Sequence, residues 1–457
     1  MPRPPAEKLE LYAEVPSPRL RYVAQTLARW FEIDVEVSPR RAERSAPGAP
    51  ERVARIHYTV GTLPGDHSAH SQSGAGAGDT GVPALHIAPE GVLGEDSLEP
   101  RRLEPGWGSF AGIDNPVGDD PLAGAFYLLS AYPEYLTEAR DQHGRVPAAA
   151  HPYVRRGHAR VPLADRLLRA VLEAACTRAG LACPPWRRER PRSTLDLDLP
   201  RAAAGKSMVR VVAGGARALL AGRWSDAPRL LASGLAGRPD PFDTFGWLRA
   251  EHVGLGLRPI AYLLMGYATA RDPGFEPTDP RWPSLLAQLD DWSEVGLHPS
   301  YGANVDAGLA TEELARLRAL AAPRPITRTR QHYLRVAWPA TLRIAEAAGL
   351  AEDASLGWPE RLGFRLGTAR TVAWYDLERE RTSGLALAPP HAMDVTARLY
   401  EGLTPAEFIE VAAGLDVEAR CSGGGLHLIW HNSNLGPLHG WGPWRAAYQR
   451  VLRTLGP

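Results

Sequence analysis

Cysteine is scarce: Cys176, Cys183 and Cys421 are the three in 457 residues. An odd number at irregular spacing supplies neither a disulfide framework nor a thiolate zinc cluster, and it fits a reducing compartment. No apolar run approaches the ~18 residues of a spanning helix, so no integral membrane segment is expected. The opening MPRPPAEKLELYAEVP is charged and proline-rich with no apolar centre. No secretory leader is therefore expected, and the location is read as cytoplasmic. An excess of one charge is lacking too. The 52 basic side chains balance 52 acidic ones, which removes the electrostatic case for a nucleic-acid partner. No internal repeat of fixed period is visible.

What is present is an ordinary globular composition, 44% hydrophobic and 23% charged, with length for more than one core. Arg far exceeds Lys and Ala is abundant, as in proteins of GC-rich bacteria. Residues 22–31 carry apolar positions on one helical face. Residues 61–80, GTLPGDHSAHSQSGAGAGDT, are too small and polar to bury a core and read as a flexible loop. Its His67 and His70 are taken as solvated, because ordering such a loop around a metal costs too much entropy. A packed helix is expected before Pro133, a charged surface turn at 140–145, and an amphipathic helix through Leu163, Leu167, Leu168, Val171 and Leu172. Pro184-Pro185 and the arginine-rich 186–192 then break the chain. This divides it into an α+β N-terminal domain, 1–187, and a second domain, 188–457.

In the second domain short β-rich runs alternate with helical patterns. Strands are expected at 194–197, 259–265, 294–297, 326–331, 350–355, 387–393 and 426–430. Helices are expected at 243–252 (capped by Asp240), 311–320 and 405–417. Such alternation implies a parallel sheet, and seven strands favour closure into a barrel. Polar residues cluster at the strand ends. TLDLD (194–198) places Asp196 and Asp198 on one face, since side chains i and i+2 of a strand point the same way. Two carboxylates there repel unless a cation sits beside them. His298, Arg330 with His332, and His431 close three further strands. Parallel strands of a barrel present their C-terminal ends at one mouth, so these six side chains are expected to converge. One carboxylate and two imidazoles form a catalytic metal set with open positions, and the second carboxylate is then a general base.

TLDLD, PFDTF (241–245), HPSY (298–301), RQHYLR (330–335), DASLG (353–357), GFRLG (363–367), MDVT (393–396) and WHN (430–432) stand in this order. The set resembles the polysaccharide deacetylases, the NodB-homology domain of carbohydrate esterase family 4, in a form with an extra N-terminal domain of unknown function. The resemblance implies a distorted (β/α)7 barrel, a divalent metal such as zinc, and removal of an N-acetyl or other acyl group from a sugar or glycan by metal-bound water. Residue by residue, it implies Asp196 as base, Asp198 and His298 as metal ligands, Arg330 as the positioner of the base, and His431 as the acid toward the leaving amine. The family's second histidine falls at Gly302, so His332 is the expected third ligand, with Asn304 a poorer donor. Arg365, Tyr301 and Trp430 are expected toward substrate, with a structural turn an equal reading for Arg365. Trp358, Trp374, Trp441 and Trp444 lean toward sugar stacking, with core packing close behind. A cytoplasmic glycan precursor is the expected substrate. The alternatives are an inactive sugar-binding relative and an amidohydrolase of a non-sugar C–N bond.

Overall fold

The computed structural model describes residues 3–39, 52–59, 83–204 and 207–456. His67 and His70, and the loop expected around them, lie outside these residues.

The N-terminal half builds a parallel sheet from β1 (Lys8–Ala13), β2 (Asp34–Ser38), β3 (Val53–Tyr58) and β4 (Leu85–Ile87), in the order β2-β1-β3-β4. The α+β expectation for this half is corrected: parallel pairing throughout makes it an α/β layer, with β5 (Gly108–Phe110) and β6 (Ile113–Asn115) as a separate hairpin. Its helices are α1 (Pro18–Phe31), α2 (Pro121–Leu129), α3 (Tyr132–Leu136), α4 (Pro152–Arg155) and α5 (Leu163–Arg178). Ser17 caps α1 and Asp120 caps α2, each side chain accepting a backbone N–H of the first turn.

The C-terminal half carries β7 (Arg192–Leu197), β8 (Ile260–Leu264), β9 (Glu294–His298), β10 (Arg328–Thr329), β11 (Glu352–Asp353), β12 (Val372–Asp376), β13 (Arg381–Leu387), β14 (Ala392–Met393) and β15 (His427–His431). Around them lie α6 (Met208–Leu220), α7 (Asp226–Ala236), α8 (Phe245–Gly254), α9 (Trp282–Leu289), α10 (Ala307–Ala321), α11 (Ala340–Ala347), α12 (Pro405–Cys421) and α13 (Trp444–Leu455). The nine strands run β12-β13-β11-β10-β9-β8-β7-β15-β14. Every neighbour is parallel except β12, which turns back on β13; neither was expected, since the strand expected at 387–393 falls on the following link and β14.

Among the described residues no pairing closes this ladder, and the nine strands form a strongly curved sheet whose two ends are not hydrogen-bonded to each other. The curvature follows from one side chain. Arg330, just past β10, donates to Thr194 on β7 at 2.8 Å. In a flat sheet three strand spacings would separate them by roughly 14 Å, beyond an arginine's reach. Residues 388–391 link β13 to β14 across the gap.

One apolar cluster runs through both halves. Polar ties cross the same boundary: Tyr22 donates to the Ala373 carbonyl at 3.0 Å, and Ala164 N–H to that of Gly367 at 2.8 Å. Trp358, Trp374, Trp441 and Trp444 are all buried in it, so core packing accounts for them. Asp240 does not cap a helix. Its carboxylate collects the N–H groups of Ala202, Ala203, Ala204 and Phe242, which pins the loop after β7. No helix of the described residues is long and apolar enough to cross a membrane.

Candidate metal centre

Parallel register brings the strand ends together. Asp196 stands opposite His431 on β15 and Tyr262 on β8, while Leu264 stands opposite His298. Asp198 lies one residue beyond β7, on the same side as Asp196. Its Oδ1 is 3.1 Å from His298 Nε2 and its Oδ2 is 3.4 Å from His332 Nε2. The three donor atoms lie within 4.8 Å of one another.

Each imidazole is oriented from behind. His298 Nδ1 is bonded to the Arg330 carbonyl, and His332 Nδ1 to Asp272 Oδ1 at 2.8 Å. With the Nδ1 proton so engaged, each Nε2 can present its lone pair to the common point. Asp198 Oδ1 is buried without a hydrogen-bond donor. Two imidazole nitrogens and an unsatisfied carboxylate oxygen fit a divalent cation of the zinc type. Burial alone would lower the His332 pKa, but Asp198 and Asp272 raise it to about 9. Burial likewise opposes ionisation of Asp198, yet His332, His298 and His431 hold it well below the usual carboxylate range. A cation would take the place of the proton shared in this cluster.

Asp196 is held differently. Arg330 Nη1 donates to its Oδ1 at 2.7 Å, whereas Oδ2 is left 4.0 Å from His298 Nε2. The guanidinium is fully buried and fixed at each end. It donates to Thr194 and to the Ala354 carbonyl, gives Nη2–H to His427 Nε2 at 3.0 Å, and lies over the Tyr262 ring at 4.4 Å. His427 accepts because burial, then Arg330 and Arg192, keep it neutral.

His431 Nε2 is 3.6 Å from Asp198 Oδ2, and its Nδ1 is 2.8 Å from Asp394 Oδ1. Burial opposes its charge, but Asp394, then Asp198 and Asp196, raise it to about 10. Asp394 is itself locked by the N–H of His431 and the amide of Asn434.

Six of the nine side chains singled out from sequence thus meet: Asp196, Asp198, His298, Arg330, His332 and His431. Tyr301 stands at the edge, with its N–H on Asp272 and its ring between Arg271 and Arg335. The other two, expected toward substrate, lie elsewhere. Trp430 is buried behind the sheet among Phe408, Trp444 and Tyr448, because on β15 it points to the face opposite His431. Arg365 is fully buried in a two-pronged ion pair with Glu134 of α3. Asn304 accepts from Arg335 at 2.9 Å and serves the loop.

Asp272 and Asp394 were not singled out, although each follows a strand of this sheet and so belongs to the mouth. The turn at 140–145 was read as surface. It instead reaches the site's edge: His143 Nδ1 is 3.1 Å from the Tyr301 hydroxyl, and Arg145 donates to the Tyr333 carbonyl at 2.8 Å. Tyr333, beside His332, stands in the left-handed region at φ 60°, a conformation that costs about 1 kcal/mol or more and is held here by its neighbours. A cleft of ≈ 1310 Å³ opens next to the centre, with Leu199 (after Asp198), Ser433 and Asn434 on its wall.

Residues 9–177 match the model of a family of unknown function, DUF7033, which is less than half of the chain. No curated protein matches by sequence. The similar solved structures include these three. One, from Mycobacterium smegmatis, is assigned as a polysaccharide deacetylase; it is 16% identical, with 59% of this chain and 86% of that one covered and a TM-score of 0.37. A second, from Bordetella bronchiseptica, is assigned as a polysaccharide deacetylase involved in O-antigen biosynthesis; the values are 14%, 59%, 85% and 0.30. The third is Agd3, a carbohydrate deacetylase, at 9% identity, 99% and 84% coverage and a TM-score of 0.33.

Proposed function

We propose that this chain is a metal-dependent hydrolase that removes an N-acetyl or related acyl group from a sugar. The observation that carries the metal is Asp198 Oδ1, buried, without a donor, and faced by two imidazole nitrogens oriented from behind. Asp198, His298 and His332 would hold the ion, zinc by donor set, which when bound polarises a carbonyl and makes water a better nucleophile.

The remaining work falls to the chain. Asp196 offers Oδ2 to take a proton from the attacking water, while Arg330 fixes Oδ1 and so aims the carboxylate. An amide nitrogen leaves poorly unless protonated. His431, anchored by Asp394 and standing beside Asp198, can give that nitrogen its proton. The sugar as acyl carrier is supported by the order of motifs from TLDLD to WHN. The adjacent cleft exceeds the ~300–1,000 Å³ usual for small-ligand pockets and suits an extended substrate.

The test combines metal analysis with acetate release from N-acetylated oligosaccharides. The native chain should hold one divalent ion, His298→Ala and His332→Ala should lose it, and Asp196→Asn should keep it without turnover. Metal lost only in His298→Ala would remove His332 from the set. Absence of bound metal after reconstitution, together with no acetate release, would overturn the reading.

A further inference from the structure

Among the described residues, exposed apolar side chains concentrate on the hairpin of α6 and α7. Seven of the fourteen exposed large hydrophobic side chains among the described residues lie between 208 and 235. Leu220 is 89% exposed, Val209 78%, Trp224 72% and Met208 70%. At about 100° per residue, Met208, Val209, Val212, Ala216, Leu219 and Leu220 share an arc of roughly 120° on α6. The buried side, Val211, Gly215 and Ala218, lies elsewhere on the wheel. It packs on α7, where Gly215 meets Leu231 and Gly234 meets Val211 at distances a Cβ would shorten to 3.2 and 2.5 Å. The hairpin therefore satisfies itself through its glycine contacts and leaves a continuous apolar stripe uncovered.

The charge beside that stripe has one sign. Arg210 and Arg217 stand along one edge of it on α6, Arg223 and Arg229 follow on the turn and α7, and Arg238 lies just past α7. Asp226 is the one acid between 207 and 238, and it is buried. In a chain with zero net charge this excess is local. An apolar arc bordered by arginines, with an exposed tryptophan at its end, is the pattern of a helix lying in a membrane interface. A protein partner would have to present acidic groups matched to the arginines, whereas an anionic headgroup layer supplies that charge everywhere.

We infer that the α6–α7 hairpin docks this protein on an anionic lipid bilayer, with the stripe among the acyl chains and the arginines on the headgroups. Arg210 and Arg217 also line the cleft beside the metal centre, so docking sets the mouth of the cleft against the headgroup layer. Vesicle binding is read without turnover and is independent of the proposed reaction.

The experiment is co-sedimentation of the full chain with phosphatidylcholine vesicles, with and without phosphatidylglycerol. Binding is expected with the anionic lipid, at least about tenfold weaker without it, and weaker as salt rises. Val209→Ser with Leu220→Ser, and separately Arg210→Gln with Arg217→Gln, should each weaken it by at least about tenfold. Brominated acyl chains should quench the native chain's fluorescence and quench Trp224→Phe less, a readout that leaves the fold untouched. No sedimentation of the native chain, or equal sedimentation of both double variants, overturns the proposal. So does a concentration-dependent dimer that Val209→Ser with Leu220→Ser abolishes while vesicles are ignored; the stripe would then be an interface between copies.

Discussion

Arg330 with Asp196 and Arg365 with Glu134 are built from the same parts: a fully buried guanidinium and a buried carboxylate. One pair lies under the candidate metal centre and the other joins the two halves of the chain. They differ in what is left over. Glu134 spends both oxygens, accepting from Arg365 at 2.8 and 2.6 Å and from the Trp338 indole at 2.6 Å, with His151 at 3.4 Å. Asp196 spends one oxygen on Arg330 and keeps the other facing the site. A buried ion pair that is satisfied all round holds structure together, whereas the one with an oxygen to spare is the one we propose as the base.

The sharpest break of this comparison is Asp196→Asn. It should lower acetate release by about 10²–10⁴-fold while metal content and melting stay near native, as loss of a general base does. Glu134→Gln should do the reverse. Leaving Arg365 buried and unpaired should cost about 3–5 kcal/mol in urea unfolding, with the activity of the folded fraction little changed. If Glu134→Gln stops turnover without unfolding the chain, the division between the two pairs fails.

A third variant probes support of the centre without touching its donors. Asp272→Asn removes the carboxylate behind His332 and should weaken metal binding about 10–100-fold, read by competition with a chelator. The smallest effect expected is in pH. Burial would raise the Glu134 carboxyl above its ordinary 4.5, but Arg365 outweighs burial and holds it below that value. Its stabilisation is therefore complete above 4.5 and is lost as pH falls through the depressed folded value. The stability gap between the native chain and Glu134→Gln should be constant from neutral pH down to about 4.5 and shrink below it. A gap that widens on acidification would reverse the sign.

The strand ends were legible because period two and parallel order are local rules: DLD puts two acids on one face, and residues just past parallel strands share a mouth. Arg365 and Trp430 misled for the converse reason. A two-glycine turn does not reveal Glu134, which lies 231 residues away, and strand parity alone does not reveal which face of β15 meets the helices. The hairpin of β12 and β13 was missed: the run of β12 carries no strong alternation, and the strand expected at 387–393 begins where β13 ends. Asp272 and Asp394 follow strand ends and were within reach of the same rule that found the others.

The sequence by itself determined that the second half alternates strand and helix, that acids and imidazoles gather at strand ends, and that neither charge nor a long apolar run favours nucleic acid or a spanning helix. Tertiary structure alone decided that the sheet curls with no closing ladder among the described residues, which neighbours orient His298 and His332 from behind, and that His143 of the N-terminal half reaches the site's edge. The physical reason is range. Periodicity and capping act over a few residues, while curvature, buried pairing and the direction of a lone pair are set by neighbours hundreds of residues distant in the chain.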